Sequence, residues 1–271
     1  MSGFTLGPAL LFCPADRPER FGKALVRSDA VILDLEDAVA PAAKQAARGA
    51  LIDAHVDPER VIVRVNPVGS ADFESDIATL SQTDFRTIML AKAESAKKIA
   101  RIDARFDIVA LCETAKGVVA SEKIAGLENV VALMWGAEDL VASLSGTSSR
   151  TAKGRYRDVA RTARSRVLLA AGAAGKAAID AVHLDIADEA GLAREAADAA
   201  ASGFAATACI HPGQVETIRA AYRPDPKDLA WARGVLAAAD GQPGVFSHGG
   251  RMVDEPVLRH ARTLVARDQA G

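Results

Sequence analysis

Short apolar segments rich in Val, Ile and Leu recur along this 271-residue chain at intervals of about 20 to 40 residues, and a helical stretch follows each of them. There are eight, at residues 9–13, 30–35, 61–66, 87–91, 108–112, 130–135, 181–184 and 206–210. They are continuously apolar rather than alternating, so they predict strands covered on both faces, as in a parallel sheet. The intervening segments predict helices over 18–27, 42–54, 73–80, 95–104, 117–125, 156–174 and 189–202. Right-handed strand–helix crossovers repeated eight times close into an α/β (β/α)8 TIM barrel, for which about 250 residues is typical. An open doubly wound sheet is the alternative.

After Tyr222 the texture changes. RPDPKD punctuates the chain, a helix is expected over 229–239, and the loop GQPGVFSHGG follows. RMVDEPVLRHARTLVARD then reads as a short strand or turn leading into a terminal helix. Eight units are complete before this point, so the expected organisation is a catalytic barrel over 1–222 and an extension over 223–271, available to cover a site.

Composition excludes several classes. With 33 Lys+Arg against 35 Asp+Glu, a formal charge of -2 and no long run of one sign, no nucleic-acid or basic membrane-surface role is expected. No run of about 20 apolar residues occurs, and MSGFTLGPALLFCPADRPER lacks a basic start, an apolar stretch and a cleavage site. A cytoplasmic protein is expected. Aromatic residues make up only 4%, which suits helices on a sheet better than a β-sandwich. Cys13, Cys112 and Cys209 form no CxxC pair and read as reduced, buried thiols, with a catalytic thiol as the lesser reading. GAAGK at 172–176 lacks the P-loop spacing and lies in an expected helix; neither GxGxxG nor GxSxG occurs.

In a barrel of this type the carboxyl ends of the strands form the active face. Polar residues concentrate there: Asp34, Glu36 and Asp37 in DLED, Arg64 and Asn66, Lys92 and Glu94, Glu113, Glu138 and Asp139, His183 and Asp185, and His211. Many carboxylates with few imidazoles and no clustered thiols favour a hard cation, Mg2+ or Mn2+, over zinc or copper. Each element has a plainer reading. One member of DLED is expected to cap a helix or pair with a lysine. Arg64 is either a buried ion-pair partner or the receptor of a substrate anion. Glu113 opens ETAKG, where Thr114 reads as a cap; Asp139 is a ligand or the cap of the LVASL helix; Glu138 reads as structural; His211 is structural or touches substrate.

LFCPADRPERFGKA, VILDLEDAV, VRVN, AKAES, ETAKG, WGAEDL, DAVHLDI, CIHPGQ and GRMVDEPV, in this order, resemble the aldolase/citrate lyase family of barrels, specifically the stand-alone proteins similar to the citrate lyase beta subunit. The resemblance implies Mg2+-dependent carbon–carbon lyase chemistry on acyl-CoA thioesters, with malyl-CoA, β-methylmalyl-CoA and citramalyl-CoA lyases as relatives, in homo-oligomers with a trimer favoured. It places the metal ligands at Glu113 and Asp139, a carboxylate-binding arginine at Arg64 and the paired acids of DLED at Glu36 and Asp37. It also implies that Asp254 reaches the active site of a neighbouring subunit. Arg17, Arg20 and Lys23 are the expected contacts for CoA phosphates, although Pro14-Ala15-Asp16-Arg17-Pro18 stands where the family tends to have P-G-x-x-P.

The expected reaction is cleavage of a 3-hydroxyacyl-CoA, of the citramalyl-CoA, malyl-CoA or 3-hydroxy-3-methylglutaryl-CoA type, to acetyl-CoA and an oxo acid. Arg64 and Glu113 would contact substrate and Asp254 would move the proton, with Glu36 or Asp37 orienting water or Arg64. The alternatives are a metal-dependent aldolase on free hydroxy-oxo acids and a non-catalytic subunit that binds an acyl-CoA or a 2-oxo acid.

Overall fold

The computed structural model describes residues 4–242 and 244–270. Residues 1–3 of the amino-terminal reading, Pro243 of the expected loop and Gly271 lie outside them. Eight parallel strands close into a barrel in sequence order. They are β1 (Ala9–Pro14), β2 (Ala30–Asp34), β3 (Val61–Val65), β4 (Thr87–Leu90), β5 (Asp107–Cys112), β6 (Val130–Trp135), β7 (Ala177–Asp180) and β8 (Ala206–Cys209). Closure is made by β1 pairing with β8, where Leu10 faces Ala208 and Leu11 faces Cys209. The open-sheet alternative is thereby excluded.

Between the strands run α1 (Phe21–Arg27), α2 (Lys44–Ile52), α3 (Ala71–Leu80), α4 (Ala96–Ile99), α5 (Ala115–Ala125), α6 (Ala137–Ser143), α7 (Asp158–Ala173) and α8 (Glu189–Ser202). Their starts follow side-chain capping: Ser70, Ser95, Thr114 and Asp188 each accept a backbone N–H from the first turn. Inside the barrel, Leu10, Ile32, Ile62, Met89, Val109, Leu111, Met134, Ile179 and Ala208 form one buried cluster. Residues of the opposite phase, such as Val31, Leu33, Val63 and Ile88, are equally buried beneath the helices. This double burial is why the strands read as unbroken apolar runs. Among the described residues no helix is long and apolar enough to cross a membrane.

The seventh strand needs correction. The apolar pattern put it at 181–184, whereas β7 is Ala177–Asp180, paired through Ala178 and Ile179 to Leu133 and Met134. Two features hid it: the alanines continue the composition of α7, and Asp180 looks like a strand breaker. Inside the fold, Arg164 and the Trp135 indole neutralise and hydrogen-bond that carboxylate. His183 and Asp185 therefore lie in the loop beyond β7, not at its end.

The chain divides into two compact units between Ile218 and Arg219, within α9 (Val215–Tyr222). The second contains α10 (Pro226–Ala238), a hairpin of β9 (Phe246–His248) and β10 (Arg251–Val253), and α11 (Glu255–Ala270). Ala232, Val235, Val253 and Ala261 form its own small core.

Candidate active site

Strand periodicity chooses the residues at the barrel mouth. Side chains of one strand alternate between its two faces. The inward set includes Ile32, Ile62, Leu111 and Met134. Two residues further on, the same phase delivers Asp34, Arg64, Glu113 and Gly136 to the carboxyl-terminal rim. Asp34 (0% exposed) and Glu113 (3%) are buried carboxylates that demand compensation.

Asp34 obtains it from Arg64, whose Nε and Nη2 donate to its two oxygens at 2.7 and 2.5 Å. Asp34 also accepts the N–H groups of Glu36 (2.8 Å) and Ala38 (3.2 Å), fixing the turn after β2. Asp34 thus closes a turn rather than capping a helix, and the members of DLED that pair with a lysine are Glu36 and Asp37, both with Lys92. Arg64 Nη1 lies 3.4 Å from Glu36 Oε2, and its guanidinium stacks over the Phe12 ring with 4.9 Å to the centroid. Burial lowers the Arg64 pKa, but the Asp34 and Glu36 carboxylates outweigh it and the net shift is upward, so it stays charged.

Lys92 is the central group that sequence reasoning noted without giving it a role. Its ammonium donates to Glu36 and, at 3.2 Å, to Asp37, and lies 3.6 Å from Asp139. Its backbone N–H donates to Glu113 Oε1 at 3.0 Å, from a left-handed conformation with φ of 48°. That conformation is uncommon for a residue with a Cβ and is found preferentially at functional positions. One residue thereby touches both expected metal ligands. Lys44, which looks like an ordinary helix lysine, is buried: Nζ donates to the carbonyls of Leu35 (2.8 Å) and Glu36 (3.2 Å) and to Asn66 Oδ1 (2.7 Å). Asn66 in turn is held by Asp76, so a polar brace sits under DLED.

Glu113 and Asp139 come from β5 and from the first turn of α6. The N-cap of α6 is Gly136, so Asp139 does not cap it. A Cβ at Gly136 would stand 2.9 Å from Glu113 Cβ and 3.1 Å from its Oε2; only glycine leaves this space to the carboxylate. In ETAKG, Thr114 caps α5, and a Cβ at Gly117 would meet Ala93 O at 2.6 Å. Burial, reinforced by the Asp139 carboxylate, pushes Glu113 up to about 8. Burial raises Glu36 against the lowering influence of Lys92 and Arg64, whereas for Asp37 burial is outweighed by Lys92 and its carboxyl is lowered. Among the described residues no cage of three or more His, Cys, Asp or Glu occurs. Two neighbouring carboxylates suit Mg2+, which usually takes one or two protein carboxylates and keeps several waters.

Other expected residues have contacts of their own. Glu138 accepts from Ser149 Oγ at 2.6 Å, a structural contact. Arg17, Arg20 and Lys23 are exposed on the segment after β1, with Asp16 3.8 Å from Arg17 and Glu19 3.7 Å from Arg20. Asp254, at the start of α11 in the second unit, accepts the Val257 N–H at 3.2 Å. His211 Nδ1 accepts from Gly213 N at 3.1 Å and closes its own turn. The three cysteines are buried and in no disulfide, and burial raises Cys13 to about 11 and Cys112 to about 12, opposite to the needs of a nucleophile.

The fold is a TIM barrel, with acids gathered at the carboxyl-terminal mouth where such barrels carry their active sites. Residues 9–212 match the HpcH/HpaI aldolase/citrate lyase family, and the chain belongs to that family. It is 56% identical over 261 residues to the citrate lyase subunit beta-like protein of Mycobacterium tuberculosis (strain ATCC 25618 / H37Rv), covering 96% of this chain and 95% of that protein. It is 30% identical over 291 residues to human mitochondrial citramalyl-CoA lyase, covering 95% of this chain and 84% of that protein. Among solved structures, M. tuberculosis CitE in complex with magnesium, acetoacetate and coenzyme A superimposes with a TM-score of 0.91 at 55% identity, covering 97% of this chain and 98% of that one. CitE with magnesium and pyruvate gives 0.83 at 51%, covering 96% and 98%.

Proposed function

We propose that the protein is a Mg2+-dependent lyase that cleaves a 3-hydroxyacyl-CoA, of the citramalyl-CoA, malyl-CoA or 3-hydroxy-3-methylglutaryl-CoA type, into acetyl-CoA and an oxo acid. The observation that carries this reading is the meeting of Glu113 and Asp139 at Lys92, beside the gap left by Gly136. The ligands of the CitE structures support it, since coenzyme A belongs to the thioester half of such a substrate, while acetoacetate and pyruvate are oxo acids of the kind the other half becomes.

Glu113 and Asp139 would hold Mg2+ (Mn2+ is the alternative), with substrate oxygens completing its shell. When bound, the cation supplies Lewis acidity toward the hydroxyl and carboxylate oxygens of the substrate. Arg64, already charged and oriented by Asp34, presents its guanidinium edge to the same oxygens. Cleavage moves the hydroxyl proton to a base, forms the carbonyl of the oxo acid and leaves the electron pair of the broken carbon–carbon bond on the thioester enolate. A proton delivered to that carbon completes acetyl-CoA. Asp254 of a neighbouring copy is the proposed carrier, which makes a homo-oligomer, proposed to be a trimer, the working assembly; Glu36 and Asp37 hold Lys92 and Arg64 in place. Arg17, Arg20 and Lys23 are the proposed seats of CoA phosphates, the barrel the catalytic domain and 223–271 its cover. The reaction needs no nucleic acid or membrane and is assigned to the cytoplasm.

The test is a Mg2+-dependent assay across citramalyl-CoA, malyl-CoA and 3-hydroxy-3-methylglutaryl-CoA, reading acetyl-CoA and oxo acid together. Cleavage of at least one thioester, abolished by EDTA, is expected. Equal rates on free hydroxy-oxo acids would instead support the aldolase reading, and binding without products a non-catalytic role.

A further inference from the structure

Lys92 meets the acids of the mouth in two independent ways, through its main chain and through its side chain. The main chain is pinned. The N–H groups of Ala91, Lys92 and Ala93 donate in succession to Val65 O (3.2 Å), Glu113 Oε1 (3.0 Å) and Leu111 O (2.9 Å), which stitches the turn after β4 to β3 and to β5. The left-handed φ of 48° at Lys92 turns the chain between these donors. The part of the residue that can adjust is therefore the side chain.

Its ammonium meets three carboxylates with graded strength. It donates to Glu36, whose side chain is buried, and to Asp37 at 3.2 Å. Asp139 Oδ1, at 3.6 Å, lies within ion-pair range but beyond a hydrogen bond. Burial lowers the Lys92 pKa, but the hydrogen bond to Glu36 and the charges of Glu36, Glu113 and Asp139 outweigh it and the net shift is upward, so the ammonium stays charged. A permanent positive charge thus stands beside one of the two oxygen donors expected to hold the cation.

The two contacts act on a cation with opposite signs. The main-chain N–H aims Glu113 and aids binding, whereas the ammonium repels a divalent ion and shares the charge of Asp139. Two unit charges about 4 Å apart already change a binding constant about fivefold in water, and a half-buried pair with one divalent member changes it more. Only the second contact is lost when the side chain is replaced, because every variant keeps its main-chain N–H.

We propose that Lys92 is a positioning residue that sets the cation affinity of the mouth: its main-chain N–H orients Glu113, while its ammonium, tethered by Glu36 and Asp37, opposes the cation at Asp139. The affinity is thereby held below what the two carboxylates alone would give. On binding, Asp139 exchanges the ammonium for the cation, and Lys92 keeps Glu36 and Asp37, its closer partners. The proposal rests on the reading of Glu113 and Asp139 as cation ligands.

The test is Mn2+ titration of the full chain, followed by electron paramagnetic resonance at fixed pH and ionic strength, for the wild type, Lys92→Met and Lys92→Arg. Lys92→Met is expected to bind Mn2+ at least about tenfold more tightly, and Lys92→Arg, which keeps the charge, to stay within about threefold of the wild type. A residue that only held the fold together would loosen the site when replaced, so the sign of the change separates the two roles. Equal or weaker binding in Lys92→Met, beside saturable binding by the wild type, would overturn the proposal and leave the cation seat standing. Equal tightening in Lys92→Arg would assign the effect to shape rather than charge and overturn it as well. No Mn2+ bound by any of the three chains would overturn the seat itself, and the proposal with it.

Discussion

The two sides of the barrel's carboxyl-terminal end carry charge in opposite senses. On the β2–β6 side, the ion pairs of Asp34, Glu36, Asp37 and Asp139 among the described residues are with Arg64 and Lys92, and Glu113 accepts the Lys92 backbone N–H. On the β7–α8 side, Asp180, Asp198 and Glu195 are bound by arginines, and further cations are left over. Both regions contain buried acids, but only the first has acids in excess. The difference follows from strand phase, since Asp34 and Glu113 continue inward positions while Asp180 follows an inward one. Paired carboxylates outside the wall hold helices to strands; an unpaired surplus inside the mouth is what a divalent cation would offset.

The largest expected effects separate the two sides by activity. Glu113→Gln or Asp139→Asn should reduce Mg2+-dependent turnover by about 10³-fold or more, because the cation loses half its protein ligands. Asp198→Asn on the other side should leave turnover within about twofold of wild type, as expected for a surface substitution away from the site. Steady-state rates at saturating Mg2+ decide this, and equal losses on both sides would erase the distinction.

Stability should respond on both sides. Arg64→Met leaves Asp34 buried without its cation and should cost about 3–5 kcal/mol. Arg164→Met should cost less, because Trp135 still donates to Asp180 at 2.5 Å. Urea titration measures both, and the reverse order would contradict the pairing described above.

Above the ordinary carboxylate range, acidity should show at the mouth. With its carboxyl pushed up to about 8, Glu113 carries a proton at neutral pH in the metal-free protein and must release it when a cation binds. Apparent Mn2+ affinity should therefore rise about tenfold per pH unit below that value and level off above it. The same shift makes the metal-free fold bind more protons than the unfolded chain between the ordinary carboxylate range and about 8, so its stability should fall as pH rises through that window. A flat affinity profile between pH 6 and 8 would show that Glu113 is already ionised.

The smallest effect concerns Lys92. Lys92→Met removes the ammonium shared by Glu36, Asp37 and Asp139 and should lower the melting temperature by about 4 °C, taking roughly 2 kcal/mol at the size of this chain. Added Mg2+ should recover part of the loss. A drop unaffected by Mg2+ would assign Lys92 to the fold alone.

Much of this was legible in the sequence for a physical reason. Strands covered on both faces appear as apolar runs, and a charge that ends such a run in phase, as Arg64 and Glu113 do, must lie at the mouth. The family motifs named Asp139 as well. What stayed hidden depended on distant residues. Asp180 passes as a strand residue only because Arg164 and Trp135, separated from it by 16 and 45 positions, satisfy it. Lys92 meets Glu36 and Asp37 across 56 and 55 positions, and its left-handed backbone leaves no mark on composition. Lys44 has the spacing of a solvated helix residue, yet the chain folds Leu35, Glu36 and Asn66 around it.

The central claim, that the acid surplus of the mouth is a divalent-cation seat, is tested most directly by counting bound Mn2+ with electron paramagnetic resonance. About one tight ion per chain is predicted for the wild type and for Asp198→Asn, and none for Glu113→Gln. Undiminished tight binding in Glu113→Gln, or its loss in Asp198→Asn alone, would contradict the account.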